Sequence, residues 1–315
     1  MANKPIYAGS YQNRGRGRAK TIFIIIVLVH LLVIGAYLLF KSNKAEDHTA
    51  SETQAPKSLA PAPVAGIPET PTAIPSGSPE TQALVADARS AIDAGQLVDA
   101  QETLSGIVAR DPDPEAIKLL GEVNMQLLRS PLMMPGKEYY AIQSGDYLQK
   151  IAKKFNTTVA LIKIMNGLES DTIRLGSRLL VFNGNFSIRV SKTRNILDLM
   201  SGNQLFKRYS VGTGKFGKTP AVEFSIVDKI VEPPWTRPSD NKQIEYGDPE
   251  NVLGSRWMAI RSAEHPELSG FGIHGTWERD SVGKQSSAGC VRMLNEDVEE
   301  LFDLVPRKTC VTITE

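Results

Sequence analysis

The sequence predicts a chain of several parts. These are one N-terminal transmembrane helix, an α-helical hairpin segment, a βααβ module and a mostly-β domain with one short helix. Three observations predict it. An uncharged apolar run, Thr21 to Phe40, follows a basic start. Two later blocks carry apolar residues at helical spacing. From about Asn185 the pattern becomes short strands and turns. With 315 residues, the chain is also too long for one ordinary core. Its formal net charge of +1 argues against a nucleic-acid partner.

Residues 1–20 hold Lys4, Arg14, Arg16, Arg18 and Lys20 before any acid. Residues 21–40, "TIFIIIVLVHLLVIGAYLLF", contain no Asp, Glu, Lys or Arg. About 20 apolar residues in a helix span a bilayer core. The basic excess before them predicts a cytoplasmic N-terminus, a single pass and extracytoplasmic domains after Phe40. A cleaved signal peptide is the rival reading, but its apolar region is usually shorter and ends in an Ala-x-Ala-like site. No such site follows Phe40. Residues 41–79 are rich in Pro, Ala, Thr and Ser and read as a semi-rigid linker. Fully extended, it would reach roughly 100 Å.

Residues 80–130 read as helices. Leu84, Ala88, Ala91 and Ile92 share one face, and Gly95 ends that helix. Leu97, Ala100, Leu104, Ile107 and Val108 mark a second, closed by Asp111-Pro112. Ala116 to Leu128 make a third. Gly95-Gln96, Ala100, Leu104 and the Asp111-Pro112 stop resemble a tetratricopeptide repeat. Fewer repeats are present than the roughly three a stable solenoid needs. A protein partner for this segment and a plain structural spacer are the two readings.

Residues 138–183 follow with strand, helix, helix, strand. Tyr140 to Ile142 begin it, Gly145 turns the chain and Asp146 can cap a helix. Leu148, Ile151, Ala152 and Phe155 form an amphipathic stripe. Thr157 or Thr158 caps a second helix, which Asn166-Gly167 stops, and Leu179 to Phe182 close the unit. Gly145-Asp146, Leu148, Ile151-Ala152, Phe155, Asn166, Gly176 and Leu179 resemble a LysM module. The resemblance implies binding of N-acetylglucosamine-containing glycan, with Gly145, Asp146, Tyr147 and Asn166 as contacts. Tyr147 stands where the family usually has Thr, and an aromatic there can stack on a sugar.

Residues 184–315 remain. "FSIRVSKTRNILDLM" and "NQLFKRYSVGTG" suggest a hairpin around Ser201-Gly202, with further strands at "AVEFSIVDKIV", "SRWMAIRS" and "CVTIT". Asn295 to Leu304 is the one helix expected. The stretch "GIHGTWERDSVGKQSSAGCVRM" within residues 184–315 holds one of the chain's two cysteines and one of its four histidines. The thiolate is the nucleophilic form of Cys, and a neighbouring imidazole can take its proton and hold an ion pair with it. That makes Cys290 the candidate nucleophile and His274 its general base. Gly289 permits a tight turn, and amides around Gly289 and Cys290 can face an oxyanion. Arg292 supplies a fixed charge that lowers the thiol's pKa or holds an anionic group, and Ser287 can support the turn. A Cys290–Cys310 disulfide is the main alternative. No Cys/His spacing suggests a metal site, and no cofactor is expected.

His274-Gly275-Thr276 followed by Ser287-Ala288-Gly289-Cys290-Val291-Arg292-Met293 resembles the YkuD-type L,D-transpeptidase signature. Lys218-Thr219-Pro220 with Glu223-Phe224, Pro233-Pro234-Trp235, Asp248-Pro249 and Gly254-Ser255-Arg256-Trp257 extend the likeness. Val222 departs from a Gly in the family pattern. The resemblance implies a peptidoglycan enzyme facing the cell wall. Cys290 would attack a tetrapeptide stem and release D-Ala, and a second stem's amine would resolve the thioester into a 3→3 cross-link. The backbone carbonyl of Gly275 would orient His274, and Trp235, Thr276 and Trp257 would contact substrate. Water or a lipoprotein amine are alternative acceptors, and a catalytically silent wall scaffold is the non-enzyme alternative.

Overall fold

The computed structural model describes residues 77–315. The expected basic segment, membrane span and most of the linker lie outside the described residues. Among the described residues, no helix is long and apolar enough to cross a membrane.

Ser78 caps the first helix, α1 (Pro79–Asp93), by accepting the Thr81 amide at 3.1 Å. Proline suits the first helical position because no donor is lost there, so the helix starts at the last residue of the expected linker. Gly95, at φ 74°, turns the chain into α2 (Leu97–Arg110). The Asp113 carboxylate accepts two amides at the start of α3 (Pro114–Arg129). The segment is therefore three helices, as the spacing predicts, so a third helix is added to the hairpin.

Next, β1 (Lys137–Ala141) pairs antiparallel with β2 (Arg178–Phe182), and α4 (Leu148–Lys154) and α5 (Val159–Asn166) lie between them in sequence. Thr158 caps α5 through the Leu161 amide at 2.9 Å, and Gly167, at φ 60°, closes it. Asp146 does not cap α4. Its carboxylate turns back to accept the Tyr140 hydroxyl at 2.7 Å and the Gln143 amide at 2.8 Å. Those bonds, the Tyr140 one foremost, hold Asp146 down at about 2 and lock the turn before the helix.

The rest is built on one sheet. Its strands are β3 (Phe186–Ser191), β4 (Ile196–Ser201), β5 (Gln204–Ser210), β7 (Glu223–Val231), β10 (Arg256–Arg261), β11 (Gly272–Thr276), β13 (Val291–Leu294) and β14 (Cys310–Thr314). They are ordered β13-β11-β10-β7-β14-β3-β4-β5. The stretch from Phe186 to Met200 is itself a hairpin, turned at 192–195 with Asn195 at φ 49°. The helix α6 (Asn295–Leu304) follows β13 directly.

One apolar core joins all three segments. It includes Leu104, Leu120 and Leu127 of the helices, Leu161, Met165, Leu180 and Phe182 of the βααβ unit, and Ile188, Leu197 and Met293 of the sheet. Asn124 on α3 donates to the Phe206 carbonyl at 2.8 Å, a buried bond to β5. The Phe182 ring lies 5.1 Å from Phe186 and 6.0 Å from Phe206. Thr158 donates to the Asp303 carbonyl of α6. The helical segment thus completes the core of the sheet domain. The βααβ unit also keeps a smaller core of its own around Leu148, Ile151, Ile162 and Val181.

Candidate active site

β11 and β13 run parallel, with Ile273 opposite Val291 and His274 opposite Arg292. That register sets His274 on the middle of one strand and Cys290 at the entry to the other. His274, Cys290, Ser287 and Arg292 line one cleft of about 430 Å³, with Trp235 and Trp257 on its walls. Between β7 and β10 the chain makes a detour in which β8 (Trp235–Thr236) pairs with β9 (Gln243–Ile244). Asn251 ties this wall together. Its amide donates to the carbonyls of Pro233 at 3.0 Å and Ile244 at 3.1 Å, and accepts the Leu253 amide at 2.9 Å.

His274 is buried, and its Nδ1 lies 2.6 Å from the Gly275 carbonyl. A carbonyl only accepts, so Nδ1 carries the proton and Nε2 holds the lone pair a base needs. Trp257, across the strand pair, lies 5.6 Å from the imidazole at 31°. Gly275 has no room for a side chain. A Cβ there would sit 2.2 Å from Asn295 Oδ1 and 3.1 Å from the Gly254 Cα. Asn295 Oδ1 accepts the Ser255 amide at 3.0 Å, and the Gly254 amide donates to the Gly275 carbonyl at 3.0 Å. The orienting carbonyl is thereby fixed from behind.

Ser287, Gly289 and Cys290 form the nucleophile turn. The Ser287 hydroxyl donates to the Cys290 carbonyl at 2.7 Å and accepts the Gly289 amide at 3.1 Å. The expected support from Ser287 is present. The Gly289 amide is occupied by it, which leaves the Cys290 amide as the oxyanion donor of the two considered. Gly289 has φ 150°, where L side chains are rare, and a Cβ would meet Phe271 at 2.8 Å.

Burial sets the electrostatics. It pushes His274 down to about 4, the Arg292 charge adds to this, and the Gly275 bond opposes it. Burial also raises the Cys290 thiol, against smaller lowering effects from the Gly272 amide and Arg292. Burial thus disfavours the charged form of both groups and works against the ion pair that the sequence suggests. Arg292 does act in the expected direction on the thiol, but desolvation outweighs it. Its guanidinium pairs with Glu278 at 2.9 Å, while its buried Nε has no partner among the described residues.

The other expected contacts divide. Trp235 and Trp257 line the cleft, whereas Thr276 is buried beyond it and accepts the Glu278 amide at 3.1 Å. In the βααβ unit Gly145 turns at φ 77° and the Tyr147 side chain is 58% exposed, open to a ligand. The Asn166 amide is taken up internally. It donates to the Ile162 and Leu180 carbonyls and accepts the Leu180 amide, each at 2.8 Å, so it joins α5 to β2. Both Cys290 and Cys310 are free thiols. Sequence reasoning missed Asn251, Asn295 and Glu278. Asn295 was visible only as the start of a helix, and nothing local marks its reach back to Gly275.

A buried imidazole held by a backbone carbonyl, beside a cysteine at the mouth of a parallel strand pair, defines a cysteine acyl-transfer centre. Residues 185–313 match the L,D-transpeptidase catalytic domain family, YkuD, and residues 140–182 match the LysM domain. YqjB of Bacillus subtilis, named as an L,D-transpeptidase, is 41% identical over 127 residues, which is 40% of this chain and 69% of its own. YkuD of Bacillus licheniformis, named likewise, is 33% identical over 183 residues, covering 56% of this chain and 98% of its own. YcfS of Escherichia coli, also named as an L,D-transpeptidase, is 27% identical over 208 residues, 58% of this chain and 63% of its own. The chain belongs to the YkuD family of L,D-transpeptidases and is a peptidoglycan L,D-transpeptidase bearing a LysM domain.

Proposed function

We propose that this enzyme is held at the outer face of the cytoplasmic membrane and forms 3→3 cross-links there. The membrane reading is supported by the charge-free run Thr21–Phe40 behind a basic segment. The chemistry is supported above all by the 2.6 Å bond between His274 Nδ1 and the Gly275 carbonyl, which frees Nε2 beside the Cys290 cleft.

The donor is a tetrapeptide stem. His274 Nε2 takes the thiol proton as Cys290 Sγ attacks the diaminopimelate carbonyl. A C–S bond forms, and negative charge gathers on oxygen near the Cys290 amide. The C–N bond to the terminal D-Ala then breaks, and His274 returns the proton to the departing amine. A second stem's amine next attacks the thioester. The C–N bond forms, the C–S bond breaks, and the amine's proton passes through His274 to the sulfur. Arg292 is the charged side chain of the cleft lining, so it is the group to receive a stem carboxylate, Glu278 giving way.

Mass spectrometry of sacculi incubated with the full chain tests this. The wild type is expected to release D-Ala and yield 3→3 dimers, and Cys290→Ala to yield none. Dimers from Cys290→Ala at the wild-type rate would remove Cys290 from the mechanism.

A further inference from the structure

A short loop on the Gly289 side of the nucleophile turn takes no part in the acyl transfer proposed for Cys290 and His274. It leaves β6 (Thr213–Gly214), which pairs with β12 (Gln285–Ser287), and runs as Lys215-Phe216-Gly217-Lys218 before Thr219. None of Lys215 to Lys218 lines the cleft. Phe216 is 95% exposed and sits at φ 55°, ψ 35°. A bulky side chain in that left-handed region is an outlier that the surroundings must enforce.

The surroundings do enforce it. The Thr219 hydroxyl donates to the Gly289 carbonyl and accepts the Gly214 amide, each at 2.8 Å. Gly214 is packed so closely that a Cβ would meet Gly289 Cα at 3.0 Å. The Lys218 amide closes the turn on the Lys215 carbonyl at 3.2 Å. Beneath, buried Lys192 reaches the Gly217 carbonyl at 3.5 Å and Glu315 at 2.8 Å. The loop is thus pinned to the residue before the nucleophile while presenting a bare aromatic ring. Phe216 lies two residues from Lys218, whose carbonyl is 3.4 Å from where a Gly289 Cβ would be. Lys215 and Lys218 are exposed beside it, and Lys284 is exposed just before the neighbouring strand β12.

Acyl transfer needs two substrates at one sulfur. While the donor stem fills the cleft as a thioester, the second strand must come to Cys290 from outside the cleft. We propose that the Lys215–Lys218 loop is the acceptor-side contact. Phe216 stacks on a sugar ring of the incoming glycan, and Lys215 and Lys218 pair with carboxylates of its peptide. The pinned turn presents the ring with little ordering left to be lost on binding. This proposal rests on the acyl-transfer reading.

The two half-reactions separate the ideas. Full-length wild type, Phe216→Gly and Phe216→Trp are loaded with a tetrapeptide donor, and the thioester is followed by intact mass. It is then discharged with either a sugar-bearing acceptor muropeptide or a short amine peptide without sugar. Glycine suits φ 55°, so Phe216→Gly keeps the turn. Expected are equal loading rates in all three, an acceptor KM for the muropeptide raised about tenfold in Phe216→Gly, recovery in Phe216→Trp, and no difference with the sugar-free amine. Equal muropeptide discharge by Phe216→Gly and wild type overturns the acceptor role alone. So does slowed loading in Phe216→Gly, which would make the loop a prop for the nucleophile. A wild type that never forms the thioester overturns the acyl-transfer reading and the acceptor role with it.

Discussion

Replacing Gly275 with alanine probes whether backbone packing sets the catalytic imidazole. The new Cβ would lie 2.2 Å from Asn295 Oδ1, where an ordinary contact begins at 3.4 Å. Relief therefore requires a displacement of about 1 Å. Neither neighbour yields freely, because Asn295 Oδ1 holds the Ser255 amide and Gly254 bonds the Gly275 carbonyl. Overpacking of this kind costs about 1–3 kcal/mol, which lowers Tm by about 3–9 °C in a domain of this size. The effect on rate is larger. The carbonyl that orients His274 Nδ1 moves with the strand, and a misplacement of about 1 Å costs roughly 100-fold. Dimer formation by mass spectrometry and thermal unfolding read the two effects separately. In Gly275→Ala, adding Asn295→Ala removes the obstructing oxygen and should recover part of the rate, a coupling that independent sites do not show. Wild-type turnover in Gly275→Ala, or a loss untouched by Asn295→Ala, would refute carbonyl positioning.

Three further outcomes follow from burial and bonding. His274 titrates near 4 in the fold against about 6.5 when free, so between these values the unfolded chain binds more protons. Its contribution is intact above pH 6.5 and declines toward pH 4 by about 3 kcal/mol, and urea titrations should show His274→Gln flattening that slope. Alkylation of Cys290 by iodoacetamide should climb only in the alkaline range, past the ordinary thiol value, because burial raises it. A plateau from pH 5 to 8 that vanishes in His274→Ala would instead reveal a resting ion pair. In the LysM module, Asn166→Ala should lose about 1–3 kcal/mol by orphaning backbone groups of Leu180. Tyr147→Ala should leave stability unchanged and weaken pull-down with insoluble peptidoglycan, and the reverse pattern would exchange their roles.

Local pattern made some of this legible and tertiary structure hid the rest. Helix faces such as Leu97, Ala100, Leu104 and Ile107 repeat every turn, and the αL stop at Gly167 is a local choice. Cys290 and His274 stand in a short motif, so their pairing and the Gly275 carbonyl could be expected. The burial that disfavours both of their charges could not, because it depends on how deeply the strands cover them. Asp146 looked like a helix cap since the sequence does not reveal that Tyr140 competes for its carboxylate. The hairpin at 192–195 has no Gly or Pro, and its turn rests on Asn195 at φ 49°. Pairing of β14 with β3 joins Val311 to Ile188 across most of the domain, beyond any local pattern.

The shared core alters what the LysM domain contributes. A binding module on a loose tether raises local substrate concentration but sets no geometry. Here Leu161, Met165, Leu180 and Phe182 are built into the core of the catalytic domain, and Thr158 bonds to Asp303 on the helix that carries Asn295. A glycan resting on Tyr147 would thus be held at a set offset from Cys290, so the module would select which stem along the strand reaches the sulfur. Deleting residues 138–183 would strip apolar contacts from the helices and the sheet alike, and a loss of turnover would then report unfolding as much as lost binding. Tyr147→Ala removes the exposed ring and leaves that core in place. On sacculi it should lower turnover and change the spacing of cross-links along the strand. On soluble tetrapeptides, with no strand to hold, it should match the wild type. Unchanged rate and spacing on sacculi would reduce the module to structural support for the enzyme's core.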